Sequence, residues 1–263
     1  MARYLVTGAA GGMGMAICDA LSRAGHRVFG LDRNKPGKSV SWQWIFSDVE
    51  DSSSLDEALS RIEESGGLDG VICCAGIYNL ASLAEIREED FQRIFNVNLF
   101  GVYRTVRRAV PLFEKNARVV ILSSELAPLR PLPFTGIYAI TKSALEQYAF
   151  SLRMELQLIG VRVSVVRPGA VKTDMLPSSL RALEQFCSET RLYPAPSRRF
   201  QKIVQRIEAR SVTPDRVAKK VQSALRSKRP RLVYSLNRNP FLLLFSALPA
   251  RLQLFLIRKL LSE

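Results

Sequence analysis

Tyr138 and Lys142 stand four residues apart in the stretch "GIYAITKSALEQY" at 136–148. On an α-helix, this spacing places the phenol and the ammonium group on the same face. A free tyrosine has a pKa of about 10, and a neighbouring cation favours the phenolate. The pair therefore indicates an acid/base group that moves a proton to or from an alcohol oxygen while a hydride moves at the adjoining carbon. By itself the spacing is weak evidence, because it occurs by chance on many solvated helices.

A glycine-rich turn lies between a strand pattern and a helix pattern in "YLVTGAAGGMGMAICDAL". Gly8 can turn the chain, Gly12 with Met13 lets backbone N–H groups approach a pyrophosphate, and Gly14 lets the helix and strand pack closely. The helix N-terminus that follows favours phosphate groups. This turn predicts a dinucleotide site, although its G-x-x-x-G-x-G spacing differs from the commonest fingerprint and leaves a plain tight turn as the alternative.

Acidic residues follow the second and third predicted strands. Asp32 is placed to accept hydrogen bonds from the adenosine ribose hydroxyls and would repel a 2′-phosphate, which favours NAD. Arg33 could bind that phosphate instead, so NADP is the alternative cofactor, and Asp32 could also be a turn residue. Asp48, with Val49 beside it, is a candidate for the adenine amino group. N-capping of the helix that starts near Ser52 is the other explanation for Asp48.

The elements that must position these residues alternate between apolar strand patterns and helix patterns. Helices are predicted at about 13–24, 52–64, 87–115, 137–159 and 213–227, the last with Thr213 as its N-cap. Such alternation is typical of a parallel sheet with helices on both faces, and right-handed crossovers make it doubly wound. We therefore expect an α/β, Rossmann-like, doubly wound parallel sheet in one domain, residues 1–239, followed by a C-terminal amphipathic appendage, residues 240–263.

Six motifs, in order, resemble those of the classical short-chain dehydrogenase/reductase family. They are "TGAAGGMG" at 7–14, "CAG" at 74–76, "NVNLFG" at 96–101, "ILSS" at 121–124, "YAITK" at 138–142 and "RPGAVKT" at 167–173. The resemblance runs from Tyr4 to about Met175. Six motifs in the family's order leave little room for coincidence.

The resemblance assigns a role to each matching residue. Tyr138 is expected to be the general acid/base, and Lys142 to lower its pKa and to hold the nicotinamide ribose. Ser124 is expected to hydrogen-bond the substrate oxygen, and Asn98 to anchor a water in a proton relay. From the residues alone, Asn98 could be only a helix-bending residue, and Ser123 and Ser124 only strand-end hydroxyls. The further cofactor contacts implied by the family are Ala75, Gly76, Pro168, Gly169, Val171 and Thr173, with Thr173 on the carboxamide.

The spacing of Ser124 departs from the family pattern. Ser124 lies 14 positions before Tyr138, one more than is usual in the family. Either the loop between them bulges, or Ser123 or Glu125 serves in place of Ser124. The segment between the second and third strands is also short, which leaves the adenosine side more open.

Four cysteines, Cys18, Cys73, Cys74 and Cys187, show no paired C-x-x-C spacing. This pattern favours a reduced, cytoplasmic protein without a metal site. Cys73 and Cys74 replace the two asparagines of the family's N-N-A-G motif. Their absence is expected to alter the local geometry of the central strands more than the chemistry of the site. Small apolar residues at a buried strand end are a better interpretation of this pair than a redox site.

The positive charge is concentrated in the last third of the chain. Residues 1–180 contain 20 Lys and Arg against 19 Asp and Glu, whereas residues 181–263 contain 18 against 5. The basic part is also apolar, as in "PFLLLFSALPARLQLFLIRKLL" at 240–261, which favours a membrane surface over nucleic acid. Pro249 and Arg251 interrupt it, so it lacks the ~20 consecutive, predominantly apolar residues that a membrane-spanning helix needs. It is expected either to lie peripherally on an anionic membrane or to pack on the protein or a second subunit.

The expected substrate is a small hydrophobic alcohol or ketone. The segment after the last motif, about 175–212, would form the substrate lid. Its apolar residues, which could equally be core contacts, are Met175, Leu176, Leu180, Leu183, Phe186 and Tyr193. The resemblance to members that act on steroids or retinoids implies an NAD-dependent hydroxysteroid dehydrogenase in a homo-oligomer. The alternatives are a 3-oxoacyl thioester reductase that acts on acyl carrier protein, and a non-catalytic nucleotide sensor or membrane scaffold.

Overall fold

Seven parallel strands form one sheet in the computed structural model, which describes residues 1–173, 175–208 and 211–262. The order across the sheet is β3-β2-β1-β4-β5-β6-β7. The strands are β1 Arg3–Thr7, β2 Arg27–Asp32, β3 Gln43–Phe46, β4 Leu68–Cys73, β5 Phe113–Leu122, β6 Arg162–Pro168 and β7 Val233–Leu236. The order reverses between β1 and β4, and a crevice for ligands opens at such a switch point, outside the carboxyl ends of the strands.

Helices cover both faces of this sheet. The first six are α1 Gly12–Arg23, α2 Ser52–Glu63, α3 Glu88–Phe95, α4 Gly101–Ala109, α5 Gly136–Leu156 and α6 Met175–Glu189. The last four are α7 Pro194–Glu208, α8 Pro214–Arg226, α9 Pro240–Ala247 and α10 Ala250–Ser262. Thr213 occupies the N-cap position of α8 as predicted, but its side chain makes no capping hydrogen bond.

The core lies on both sides of the sheet because successive side chains of each strand point to opposite faces. In β5, Val119 and Ile121 belong to one apolar cluster with α2, α4 and α5, whereas Val120 and Leu122 belong to a second cluster with α1 and α8. Strands buried on both faces explain the nearly continuous apolar runs in the sequence. The predicted doubly wound α/β fold in a single domain is confirmed.

The single helix predicted at about 87–115 is wrong in its course and its end. It is interrupted by a π-helical turn at Asn96–Phe100, continues as α4, and ends in a short 3₁₀ turn at Val110–Leu112. β5 then starts at Phe113, earlier than the apolar run suggests, because Phe113 already pairs with Leu68 across an irregularity in the register. The polar residues at the start of β5 hid this extension from the sequence pattern.

The C-terminal residues form two short helices that meet at Pro249. α10 packs against α7, and Arg199 of α7 donates a hydrogen bond to the carbonyl oxygen of Leu261. Across the described ranges, we find no helix with the length and hydropathy needed to cross a membrane.

Candidate active site

A cavity of about 450 Å³ opens at the carboxyl ends of β1, β2 and β4. Most of the residues predicted to bind the cofactor line it. They are Gly8, Gly12, Met13, Gly14, Asp32, Arg33, Asp48, Val49, Ala75, Gly76 and Thr173. Residues that the sequence scatters over more than 160 positions are therefore brought together at the switch point of the sheet.

Three glycines of the turn have no space for a side chain. Gly8 has a φ of 69°, and a Cβ atom on it would lie 2.7 Å from the backbone nitrogen of Ala75. A Cβ on Gly14 would lie 2.0 Å from the carbonyl oxygen of Gly8, and one on Gly12 would lie 2.9 Å from Cγ2 of Thr173. The N-terminus of α1 is thus exposed at the cavity wall, beside Thr173. This cradle fits a dinucleotide, whose pyrophosphate would bind to the backbone N–H groups of the turn.

Asp32 bridges the turn and the loop that follows β2. Its Oδ2 accepts a hydrogen bond from the backbone N–H of Ala10 at 3.0 Å, and its Oδ1 accepts one from Asn34 at 2.9 Å. The carboxylate is therefore fixed at the cavity wall. Arg33 lies beside it, loosely paired with Asp48 at 3.9 Å and Glu50 at 4.0 Å.

Asp48 does not cap α2. The N-cap is Asp51, whose Oδ1 accepts a hydrogen bond from the backbone N–H of Ser53 at 3.0 Å. Asp48 instead accepts a hydrogen bond from the backbone N–H of Glu50 at 2.9 Å and lines the cavity. The capping explanation for Asp48 is therefore wrong, and its adenine role stays a prediction.

Thr7 makes a link between β1 and β4 where the asparagine pair of the family is missing. Its Oγ1 accepts hydrogen bonds from the backbone N–H groups of Cys74 at 3.2 Å and Ala75 at 3.3 Å. Cys73 is buried in the core, and burial raises the pKa of both adjacent thiols to about 12. Thiols with such pKa values are not reactive nucleophiles, which agrees with a packing role for the pair.

Tyr138 and Ser124 meet where α5 passes the end of β5. A hydrogen bond between the two side chains favours the phenolate, but burial outweighs it and raises the pKa of Tyr138 to about 12. Nζ of Lys142 lies 5.7 Å from the centre of the Tyr138 ring and donates a hydrogen bond to the carbonyl oxygen of Leu122 at 3.0 Å. Burial lowers the pKa of Lys142 to about 8.

These pKa directions correct one expectation from the sequence. Lys142 was expected to lower the pKa of Tyr138, whereas burial dominates and raises it. The phenol is therefore protonated at neutral pH. A protonated phenol beside a hydroxyl donor suits the protonation of a carbonyl oxygen as it becomes an alcohol.

The neighbours of Ser124 point elsewhere. Oγ of Ser123 donates a hydrogen bond to Glu146 of α5 at 2.8 Å. Glu125 accepts one from the backbone N–H of Asn239 at 2.6 Å, at the start of α9. Ser124 is thus the member of this group that contacts Tyr138. In the loop between Ser124 and Tyr138, Phe134 has a φ of 65°.

Asn98 lies fully buried in the π-helical turn. Its Oδ1 accepts a hydrogen bond from the backbone N–H of Ile77 at 2.8 Å, and its Nδ2 donates to the carbonyl of Ile77 at 2.9 Å. Nδ2 also donates to Oγ1 of Thr141 at 3.1 Å. Asn98 therefore connects the loop after β4 to α5, next to Tyr138, and its water-binding role stays a prediction.

The turn after β6 packs closely against the end of β7. Gly169 donates a backbone hydrogen bond to Leu236 at 2.8 Å, and a Cβ on it would lie 2.0 Å from the carbonyl oxygen of Asn237. Val171 pairs with Val212 in an isolated parallel bridge, and the carbonyl of Pro168 accepts a hydrogen bond from Glu125. Direct contact of Pro168, Gly169 and Val171 with the cofactor stays a prediction.

Sequence reasoning missed Tyr78. Its ring packs edge-on against Tyr138, with the ring centres 4.5 Å apart, and it also lines the cavity. Tyr78 follows the "CAG" motif by two positions, so proximity to that motif was the available signal.

A third apolar cluster lies beyond Tyr78, under the predicted lid. Its buried members are Leu80, Phe134, Leu183, Phe186, Phe200 and Leu261, with Tyr78 and Tyr193 packed against it. Leu183, Phe186 and Tyr193 therefore make the core contacts that the sequence left as an alternative. The side chains of Met175, Leu176 and Leu180 lie outside the described part of the structure.

Comparison with known proteins identifies the family. The family model described as short chain dehydrogenase matches residues 3–183. The chain is 28% identical over 229 residues to 3-ketodihydrosphingosine reductase of Bacteroides thetaiotaomicron, covering 86% of this chain and 84% of that protein. It is 31% identical over 198 residues to the 3-oxoacyl-(acyl-carrier-protein) reductase MabA of Mycobacterium tuberculosis, covering 74% of this chain and 78% of that protein.

Solved structures show the same fold. The 3-ketoacyl-(acyl-carrier-protein) reductase from Brucella melitensis, complexed with NADH, aligns with a TM-score of 0.71 at 21% identity, over 90% of this chain and 98% of that one. The alcohol dehydrogenase from Thermococcus sibiricus, complexed with 5-hydroxy-NADP, aligns with a TM-score of 0.71 at 24% identity, over 91% and 98%. Since the matching model spans both the glycine turn and the Tyr138 group, this chain belongs to the short-chain dehydrogenase family and is an NAD(P)-dependent oxidoreductase.

Proposed function

We propose that this protein reduces the ketone of a hydrophobic oxo lipid to a secondary alcohol. The observation that carries the proposal is the position of Tyr78, which lines the dinucleotide cavity, packs edge-on against Tyr138 and contacts the apolar cluster under α6 and α7. A polar oxygen at Ser124 and Tyr138 would have its hydrocarbon part on the side of that cluster. Ketone reduction and alcohol oxidation are the same reaction in opposite directions, and a protonated Tyr138 holds the proton that the reductive direction requires.

The residues divide the chemistry between them. A bound nicotinamide cofactor supplies the hydride to the carbonyl carbon. Ser124 orients the carbonyl oxygen by a hydrogen bond, and Tyr138 donates the proton to that oxygen as the hydride arrives. Lys142, fixed to the carbonyl of Leu122, would hold the nicotinamide ribose. Tyr78, packed against the ring of Tyr138, and the predicted lid would limit the access of water to the phenol.

NAD is the proposed cofactor. Both oxygens of Asp32 are held at the cavity wall by backbone N–H groups, so the carboxylate is poised to meet ribose hydroxyls and to repel a 2′-phosphate. Arg33 supports NADP as the rival, because its guanidinium is only loosely paired with the neighbouring acids.

Two classes of substrate are candidates. A free long-chain oxo lipid agrees with the apolar lid and with the sphingoid relative, and the oxo form of the expected hydroxysteroid is a hydrophobic ketone of the same kind. A 3-oxoacyl thioester on acyl carrier protein is the second candidate, because residues 181–263 carry 18 cations against 5 acids and would attract an acidic carrier. The homo-oligomer is likewise a proposal, supported by the exposed Phe150 and Met154 of α5.

The first experiment follows the absorbance of NADH and NADPH with a panel of carbonyl compounds. The panel contains a long-chain 3-oxo sphingoid base, a 3-oxosteroid, a retinoid aldehyde, and 3-oxoacyl groups on coenzyme A and on acyl carrier protein. We expect turnover of a free lipid ketone with NADH. Turnover of the carrier-bound thioester alone, weakened by salt, would select the second candidate. If no compound of the panel is turned over although both cofactors still bind, the result would favour the non-catalytic sensor or scaffold.

A further inference from the structure

The last two helices hold one part of their apolar surface against the protein and expose the rest. Leu261 is only 5% exposed and packs in the cluster under the lid, with Ile257 against it. Six large apolar side chains of the same helices are largely in solvent. They are Phe241 at 68%, Leu244 at 68%, Leu252 at 41%, Leu254 at 70%, Phe255 at 60% and Leu260 at 56% exposure. We call these six residues the tail surface.

The C-terminal part of the chain that contains the tail surface is rich in cations. Residues 216–262 contain eleven Lys and Arg and no Asp or Glu. On α10 itself, Arg251, Arg258 and Lys259 are exposed between the apolar residues, and Arg238 is exposed just before α9. We propose that α9 and α10 bind the enzyme to the surface of a bilayer that contains anionic lipid. The apolar side chains enter the headgroup boundary while the cations contact phosphates.

Other occupants fit this combination less well. A second copy of the chain would bring its own cations against these cations, and like charges oppose such a contact. A nucleic acid would satisfy the cations but leave Phe241, Leu244 and Phe255 in water. Anionic lipid satisfies both parts of the surface, because each cation near such a headgroup layer favours binding and each inserted apolar group leaves water.

An apolar groove of about 660 Å³ runs beside the tail surface. Leu254 and Arg258 of the tail line one side, and Leu132 and Phe134 of the loop before α5 line the other. Phe134 also belongs to the cluster under the lid, so the groove leads from the proposed lipid surface towards the substrate side. Docking on a bilayer would therefore place this groove where lipid hydrocarbon is available. The docking proposal itself does not depend on the substrate or on catalysis.

The test is co-sedimentation of the full-length protein with vesicles at low and high salt. Vesicles of phosphatidylcholine mixed with phosphatidylglycerol should bind the protein, and vesicles of phosphatidylcholine alone should bind it much more weakly. Phe241→Ser/Phe255→Ser should lower the partition coefficient by about ten-fold or more. Arg251→Gln/Lys259→Gln should lower it by roughly 25-fold at low salt, at about five-fold per cation. Matched exposed residues elsewhere provide the controls, Phe46→Ser/Leu158→Ser and Arg107→Gln/Lys115→Gln, and should leave the partition coefficient unchanged.

Three results would overturn the proposal. One is equal binding to neutral and anionic vesicles, or binding to neither. Another is an equal loss with the tail variants and their matched controls. The third is a stable dimer, measured by analytical ultracentrifugation, that the Phe241→Ser/Phe255→Ser variant alone converts to monomer, since the tail surface would then be a subunit contact. Circular dichroism and cofactor binding establish that each variant is folded, whatever its activity.

Discussion

Tyr138 combines a half-buried side chain with a hydroxyl partner, and this combination makes its proton chemistry specific. Since its pKa is raised to about 12, the proton is present at neutral pH for donation. Tyr138→Phe keeps the ring that packs against Tyr78 but removes the proton, so we expect turnover to fall by at least 10²–10⁴-fold. Cofactor affinity, measured by nicotinamide fluorescence, should change little. Loss of cofactor binding together with turnover would mean that Tyr138 has a structural role.

Lys142 is buried with its charge, which gives the protein a pH-dependent stability. Its pKa is lowered from 10.5 to about 8 in the folded state, so in this window the unfolded chain binds more protons. The free energy of unfolding should therefore rise as the pH increases from about 8 to about 10.5, relative to Lys142→Met, by up to roughly 3 kcal/mol. Urea unfolding of both proteins at pH 7 and pH 10 measures this difference. A constant difference between the two proteins would show that Lys142 keeps its ordinary pKa.

Asp32 is the residue on which the proposed preference for NAD depends. Its carboxylate lies at the cavity wall and would repel a 2′-phosphate. Asp32→Ala should lower the ratio of the kcat/KM for NADH to the kcat/KM for NADPH by about ten-fold or more. Most of this change should be a higher kcat/KM for NADPH, because the repulsive carboxylate is removed and Arg33 remains. An unchanged ratio would assign Asp32 to the turn alone. Because the variant also removes the hydrogen bond from Ala10, its melting temperature must be measured alongside.

At the scale of elements, the junction between β1 and α1 requires glycine at some positions and tolerates other residues nearby. A Cβ on Gly14 would collide with the carbonyl oxygen of Gly8 at 2.0 Å, whereas a Cβ on Gly11 would meet that oxygen at 3.4 Å, an ordinary contact. We expect Gly14→Ala to destabilise the fold by about 1–3 kcal/mol or more and to abolish cofactor binding. Gly11→Ala should fold normally. Equal thermal stabilities of the two variants would contradict this account of the turn.

At the scale of the whole molecule, α10 packs against α7 and contributes Leu261 to the apolar cluster under the predicted lid. Leu261 is 5% exposed in the cluster under the lid, while its neighbour Leu260 is 56% exposed. Leu261→Ala should destabilise the contact between α10 and α7 by about 2 kcal/mol or more, whereas Leu260→Ala should change stability by less than about 0.5 kcal/mol. Amide hydrogen exchange in α7 should accelerate only in the first variant. Equal exchange rates of the α7 amides in the two variants would show that α10 does not stabilise α7.

The sequence by itself determined the alternation of strands and helices, the parallel sheet, and the main residues of the site. These features depend on local patterns, because a buried parallel strand is apolar throughout and the glycine turn is a contiguous motif. The same local reasoning found Asp32, Tyr138 and Lys142, whose spacing or position next to an element carries the signal. The choice of Ser124 over Ser123 and Glu125 could not be made in this way, since adjacent residues at a strand end share one local pattern.

Tertiary structure alone decided the features that depend on contacts distant in sequence. Burial by the surrounding elements raises the pKa of Tyr138 and opposes the expected influence of Lys142. Pairing with Leu68 starts β5 at Phe113, and Tyr78 reaches Tyr138 only because the loop after β4 turns towards α5. The division of the tail into packed and exposed residues depends on α7, about 50 residues earlier in the chain. Side-chain periodicity shows which residues share a face of an element, but the partner of that face is set by the path of the whole chain.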